Sequence, residues 1–356
     1  MLLQKYDKLF PEVLSCLKKA RTGGRLAHAY LIQSDDPDVR EEFAILAAMI
    51  ASCPDIDETG SPCGVCNSCK GLQDDSYPEL YRLTPCGKMY MIKVGETPNP
   101  EDNTLRWFEE MFYMTSTSLA GKKIGIVSDC DRMNKESQNA FLKTLEEPPG
   151  DTFFILTTGN PLALLPTTRS RCQLLPLLCN RCRFEFKGAK DLFSALHQLQ
   201  FAAVDAADAE FSAEIMISVY NNLEEGAKET VEVKWRERLE QAEELEPAVK
   251  KRIVAACNDA ASGEFMRERQ YFVSAIHTWF AQTYQLACGA DIMTLANPEI
   301  FNDHKLPEKL NPEKMLRQLQ QAEEFTSAMR YNLGSSGQQL AIRSFCLNTV
   351  KAGKTS

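Results

Sequence analysis

Four cysteines, Cys53, Cys63, Cys66 and Cys69, stand in the spacing C-x9-C-x2-C-x2-C. Four thiolates in a tetrahedron, each at about 2.3 Å, are a donor set that zinc prefers. The two C-x2-C turns share Cys66, and Pro62, Gly64, Asn67 and Ser68 supply turn residues between the sulfurs. A redox C-x2-C pair is the alternative chemistry, but the further cysteines in the same stretch favour a metal. With all four positions filled by protein, no site is left for water, so the expected zinc is structural and folds a loop too small for its own core. A second group, Cys172, Cys179 and Cys182, has three members and no evident fourth ligand, and reads as non-metal.

Phosphate chemistry is the next candidate. A strand, a glycine-rich turn and a helix normally cradle phosphates with backbone N–H groups. Ala29-Tyr30-Leu31-Ile32 reads as such a strand, and a helix is expected from about Asp38. The turn between them, Gln33 to Glu41, contains no glycine. Asp35, Asp36 and Asp38 would repel a triphosphate, and Pro37 removes an N–H donor. After Ser34 in this degenerate Walker A turn, Arg40 stands where the lysine belongs and Glu41 where the magnesium-binding hydroxyl belongs. The run Ile124 to Asp131 resembles a Walker B strand, which should end in Asp-Glu. Ser128 takes the Asp position and Asp129 the Glu position. Two independent losses predict that this chain neither binds nor hydrolyses ATP.

The elements that position these residues are those of an α/β domain with a parallel sheet. Besides the strand at 29–32, short buried strands are expected at Lys123–Ser128 and Phe153–Thr157, with others not resolved by eye. Glu41–Ser52 reads as a helix, with Phe43, Leu46, Ala47 and Ile50 at helical spacing. Asn134–Glu147 reads as another, capped by Asn134, with Glu136 in its first turn and Pro148-Pro149 as its stop. Gly95–Asn103 is polar and proline-rich, a loop. Three zones follow: the α/β domain over 1–176, a helical and increasingly charged connector over 177–240, and an all-helical zone over 241–356. Glu224–Lys251 reads as a solvated helix face, and Phe272, Ile276, Trp279, Phe280 and Tyr284 as an aromatic core stripe.

The composition narrows the class. With 356 residues, 44% hydrophobic and 25% charged, the chain is long enough for two or three ordinary globular domains. A net charge of −9 argues against a surface that grips nucleic acid all over. The N-terminal twenty or so residues lack the apolar stretch of a secretory signal. The run Phe43–Cys53 is about half the length needed to cross a bilayer. A cytoplasmic chain without membrane association is expected, and its thirteen cysteines then call for a reason other than disulfides.

Asn139-Ala140-Phe141-Leu142-Lys143-Thr144-Leu145-Glu146-Glu147-Pro148-Pro149 closely resembles the N-A-L-L-K-T-L-E-E-P-P motif of the AAA+ subunits of bacterial DNA polymerase III clamp loaders. Leu26-Ala27-His28-Ala29-Tyr30-Leu31 looks like that family's entry to its first strand. The cysteine group sits where the family carries a zinc module, and Phe154-Ile155-Leu156-Thr157-Thr158 is similar to its sensor 1 strand. Ser170-Arg171-Cys172 is similar to its Ser-Arg-Cys motif. The resemblance is good over about 1–176 and weak beyond. There, Ala328-Met329-Arg330-Tyr331-Asn332 and the apolar run Leu340–Leu347 look like the last collar helices.

The resemblance implies an AAA+ P-loop-type α/β domain with a zinc knuckle, then a helical lid over 177–240 and a helical collar over 241–356. It implies that Arg171 is an arginine finger acting in trans on a neighbour's γ-phosphate. A finger kept while the chain's own site is lost resembles the delta-prime branch of the family, which donates to catalysis without performing it. The rival reading is a gamma/tau-like ATPase with an atypical nucleotide site. A third is a zinc-dependent adaptor outside replication. The implied partners are gamma/tau and delta subunits in a hetero-oligomer, with the sliding clamp and primed DNA met through the complex. The sensor threonines Thr157 and Thr158 have no evident role where no nucleotide binds.

Overall fold

The computed structural model describes residues 2–87, 89–114, 122–178, 184–243, 246–329 and 334–354. Two compact units divide the chain, Met1–Cys179 and Asn180–Ser356.

The first unit is a five-stranded parallel sheet with helices on both faces. In chain order its elements are α1 (Leu2–Leu9), α2 (Pro11–Thr22), β1 (Ala29–Gln33), α3 (Pro37–Ser52), α4 (Asn67–Gln73) and β2 (Leu80–Leu83). They continue with α5 (Leu105–Tyr113), β3 (Lys123–Val127), α6 (Lys135–Glu146), β4 (Thr152–Thr158), α7 (Pro166–Arg169) and β5 (Gln173–Pro176). The strand order is β2-β3-β4-β1-β5, and every pairing is parallel, with Ala29 opposite Phe154 and Lys123 opposite Thr152. The strands at 29–33, 123–127 and 152–158 match the expected ones, and β2 and β5 are the strands left unresolved.

Alternation along each strand splits the core in two. Tyr30, Ile32, Ile124, Ile126, Phe153 and Ile155 face one side, packed with Tyr6, Leu14 and Phe43. Ala29, Leu31, Val127, Phe154 and Leu156 face the other, packed with Phe108, Phe112 and Phe141. Both faces are covered by helices, so the strands read as continuous apolar runs. Gly125 marks the tightest place: a Cβ there would come within 2.7 Å of Phe112 Cζ and 2.8 Å of Phe154 Cδ1. α6 begins where expected, because the Asn134 side chain accepts from the Ser137 N–H at 2.7 Å.

Among its described residues the second unit is all-helical: α8 (Ala189–His197), a π-helical turn (Gln198–Ala202), α9 (Ala206–Ala242), α10 (Pro247–Ala287), α11 (Pro312–Met329) and α12 (Ser335–Lys354). Asp205 and Asp208 form a capping box at the start of α9. One core joins Leu192 and Leu196 of α8, Met216 and Tyr220 of α9, Phe272, Ile276, Trp279 and Phe280 of α10, Phe325 and Phe345. Tyr284 is only half-buried. Residue 240, the expected division, lies within the last turn of α9, and helices from both sides of it share this core. The charged run from Glu224 spans the end of one long helix and the start of the next. Among the described residues, no helix is long and apolar enough to cross a membrane. Arg330, Tyr331 and Asn332 lie outside the described residues.

Candidate functional site

The cysteine group forms a single cluster. Cys53 caps the C-terminus of α3, Cys66 caps the N-terminus of α4, and Cys69 lies in the first turn of α4. The four sulfurs lie within 4.8 Å of one another, with Cys53 Sγ 3.6 Å from Cys63 Sγ and 3.9 Å from Cys66 Sγ. Four bonds of about 2.3 Å in a tetrahedron require edges of roughly 3.8 Å, so the set fits one tetrahedral ion. Backbone N–H groups of Cys63, Cys66 and Cys69 donate to the sulfurs of Cys53, Cys63 and Cys66 at 3.3–3.4 Å. Such donors stabilise thiolates. The N–H groups of Val65 and Cys66 lower the Cys63 thiol to about 7, while burial raises Cys53 and Cys69. The loop between the first two cysteines is held by Asp57, whose carboxylate accepts from the Thr59 hydroxyl and from the Thr59 and Ser61 N–H groups. Those bonds keep Asp57 below the ordinary carboxylate range. Gly60, at φ +85°, lies so close to α2 that a Cβ would sit 2.5 Å from the Lys18 carbonyl oxygen.

The turn after β1 is closed by the chain's own groups. The Asp36 carboxylate accepts the N–H groups of Asp38 at 2.9 Å and Val39 at 3.2 Å, the donors that a phosphate would need at this helix start. The Ser34 hydroxyl accepts the Asp36 N–H. Arg40 is buried, 2% exposed, and donates to the Ser34 carbonyl at 2.7 Å and to Asp129 Oδ1 at 2.8 Å. Asp129 takes a left-handed φ of 46° just past β3, and its other carboxylate oxygen accepts from the Tyr90 hydroxyl at 3.0 Å. Burial, then the Asp129 charge, hold the Tyr90 phenol well above its usual range.

A second bridge lies beside the first. The Ser128 hydroxyl donates to Glu41 Oε1 at 2.5 Å, and Arg82 links Glu41 to Asp75. In an active P-loop site the hydroxyl follows the turn and the carboxylate ends the strand. Here the two chemistries have changed places. A hydrogen bond joins the two positions directly.

Thr157 and Thr158 hold this same corner. Thr157 Oγ1 accepts the Asp129 N–H at 3.2 Å, and the Thr158 hydroxyl donates to Asp131 at 2.6 Å. Asp131 is raised by burial, with the Asp129 charge adding to the shift.

The Ser170-Arg171-Cys172 segment lies between α7 and β5. The Ser170 hydroxyl donates to the Thr167 carbonyl at 3.0 Å. Cys172 packs against the second core, and burial pushes its thiol up to about 12. Arg171 stays at the surface with its side chain 30% exposed, NH1 donating to the Thr167 carbonyl at 2.7 Å and NH2 paired with Glu146 at the end of α6. Cys179 and Cys182 lie outside the described residues.

The sequence placed Ser34, Arg40, Glu41, Ser128 and Asp129 in one site, and the structure brings them together. Tyr90, Arg82 and Asp75 joined them unforeseen. Tyr90 comes from a loop with no periodicity, and nothing local marks it as a partner of Asp129.

Residues 10–180 match the family model described as DNA polymerase III, delta subunit. The chain is 32% identical over 173 residues to the DNA polymerase III subunit delta' of Bacillus subtilis, covering 49% of each chain. It is 33% identical over 156 residues to the delta' subunit of Escherichia coli, 42% of each. To the tau subunit of Escherichia coli it is 29% identical over 188 residues, 53% of this chain and 26% of that one. The chain therefore spans about half the length of the delta' relatives it matches.

Proposed function

We propose, from the match of residues 10–180 to the DNA polymerase III delta-subunit family model and the similarity to delta' subunits, that the chain is a clamp-loader subunit of the delta-prime kind. It hydrolyses no ATP itself and lends Arg171 to a neighbouring gamma/tau ATPase. The Arg40–Asp129 ion pair carries this reading. It fills the seat between turn and strand that a magnesium nucleotide needs, and Asp36 occupies the N–H donors at the helix start. A triphosphate would have to displace a buried ion pair and approach the Asp35, Asp36 and Asp38 carboxylates.

At the neighbour's site, the Arg171 guanidinium would neutralise charge that develops on the transferred phosphoryl group. Its partial exposure supports this role, since a finger must be reachable from outside its own chain. Cys53, Cys63, Cys66 and Cys69 would hold a zinc ion, which supplies a fixed crosslink between α3 and α4 and no chemistry. The helical segments 177–240 and 241–356 serve as lid and collar, the collar joining the chain to gamma/tau and delta subunits. The sliding clamp and primed DNA are met by the assembled ring, with DNA contacts mainly to phosphates.

The test is an ATPase assay of the chain alone and of a loader reconstituted with gamma/tau, delta, clamp and primed DNA. The chain alone is expected to be inert, and Arg171→Ala to slow the complex by about 10³-fold without loss of assembly. Hydrolysis by the isolated chain would instead favour a gamma/tau-like ATPase with an atypical site.

A further inference from the structure

Helix α6 touches the arginine-bearing segment at both of its ends. Near its start, Gln138 is buried, 2% exposed, and its amide makes three bonds. Its Nε2 donates to the carbonyls of Met133 at 3.1 Å and Ala163 at 3.5 Å, and its Oε1 accepts the Leu165 N–H at 2.7 Å. Those bonds tie the chain just before α7 to the first turn of α6. At the far end, Glu146 pairs with Arg171 itself. Beyond Arg171 the chain enters β5, where Leu175 lies opposite Ile32 in the sheet. The segment is thus anchored before and after the arginine, and the guanidinium is held from the side.

We propose that Gln138 and Glu146 are positioning residues: together they aim Arg171 at a phosphate bound to a neighbouring subunit. This rests on the reading of Arg171 as a trans-acting arginine. A long side chain magnifies any tilt of its backbone, and an error of about 1 Å at a reacting group can cost on the order of 10²-fold in rate. The exposed Glu146 pair alone is worth little, because solvent screens it. The buried Gln138 amide supplies what the pair lacks, since an unmet N–H or carbonyl in the interior is costly and so fixes one arrangement. Among the described residues, the Arg171 guanidinium, with five N–H donors, donates to Thr167 and Glu146.

Gln138→Met keeps the side-chain volume and removes all three bonds; Glu146→Gln removes the charge. In the isolated chain, nitrogen relaxation of the Arg171 Nε–H is expected to report a guanidinium ordered in the parent and mobile in both variants. Unchanged order in both would overturn the proposal whatever Arg171 does in catalysis. In the loader reconstituted with its ATP-hydrolysing subunit, Gln138→Met is expected to lower kcat about tenfold, and Glu146→Gln severalfold, with KM for ATP and assembly unchanged. Neither is expected to slow a complex that already carries Arg171→Ala. If Arg171→Ala slows hydrolysis and the two variants do not, positioning fails and the arginine reading stands. A faster rate in Glu146→Gln would mean that Glu146 competes with the phosphate, and would also overturn it. If Arg171→Ala itself changes nothing, the arginine reading fails and takes this proposal with it.

Discussion

The Arg40 guanidinium donates to the Asp129 carboxylate at 2.8 Å, joining the first turn of α3 to the end of β3. The arginine is 2% exposed and the aspartate 24%. Removing one partner of a buried pair strands the other. Arg40→Met is therefore expected to cost about 2–3 kcal/mol, reduced from the fully buried case because Asp129 retains some solvent. Thermal denaturation with and without ATP checks this. The expected result is a lower Tm for the variant, and no shift on adding ATP in the parent chain.

The Ser128–Glu41 bond supports a reciprocal exchange. Ser128→Asp alone sets two carboxylates against each other and is expected to destabilise by about 1–3 kcal/mol. Adding Glu41→Ser restores a hydroxyl facing a carboxylate with the positions reversed, and should recover most of that loss. A double-mutant cycle by urea denaturation measures the coupling. Simple additivity of the two changes would mean that the bond does not matter.

The cysteine cluster is expected to carry zinc when the protein is prepared without chelator. Cys66→Ser should lose the metal and at least about 3 kcal/mol of stability. Cys16→Ser should change neither, because Cys16 is exposed and outside the cluster. Elemental analysis together with thermal denaturation decides it. Equal metal content in Cys66→Ser and the parent would rule the cluster out as the zinc site.

Asp131 is raised by burial beside Asp129. A carboxyl whose pKa is higher folded than unfolded binds more protons in the folded state. Its contribution is fully present below the unfolded value and is lost as pH rises through the folded one. Asp131→Asn still offers the Thr158 hydroxyl an acceptor but carries no charge. It is expected to be more stable than the parent at neutral pH, with the difference closing as pH falls into the carboxylate range. Urea denaturation across pH 4 to 8 follows it, about the range in which such groups titrate. A difference that does not change with pH would refute the assignment.

Much of the frame was legible in local sequence. Asn134 and Pro148-Pro149 bracket α6 because a cap and a double proline act on their immediate neighbours. The apolar runs of β1, β3 and β4 declare buried strands without reference to anything distant. The cysteine spacing likewise brought four sulfurs together, since turns of two residues leave little freedom. Edge strands β2 and β5 were less legible, because each is four residues long and only partly buried. The charged run from Glu224 hid the end of α9, since ion pairs along a solvated helix carry no mark of where it ends.

By itself, then, the sequence determined the central strands and α6, that the turn after β1 contains no glycine, and that a four-cysteine cluster and a Ser-Arg-Cys segment are present. Only the tertiary structure decided what fills the turn. Arg40 meets Asp129 across 89 positions and Gln138 reaches Leu165 across 27, distances over which no periodicity or spacing rule operates. Those partners are chosen by the parallel stacking of β1, β4 and β3, which sets the ends of distant strands side by side and obliges buried polar groups to satisfy one another there.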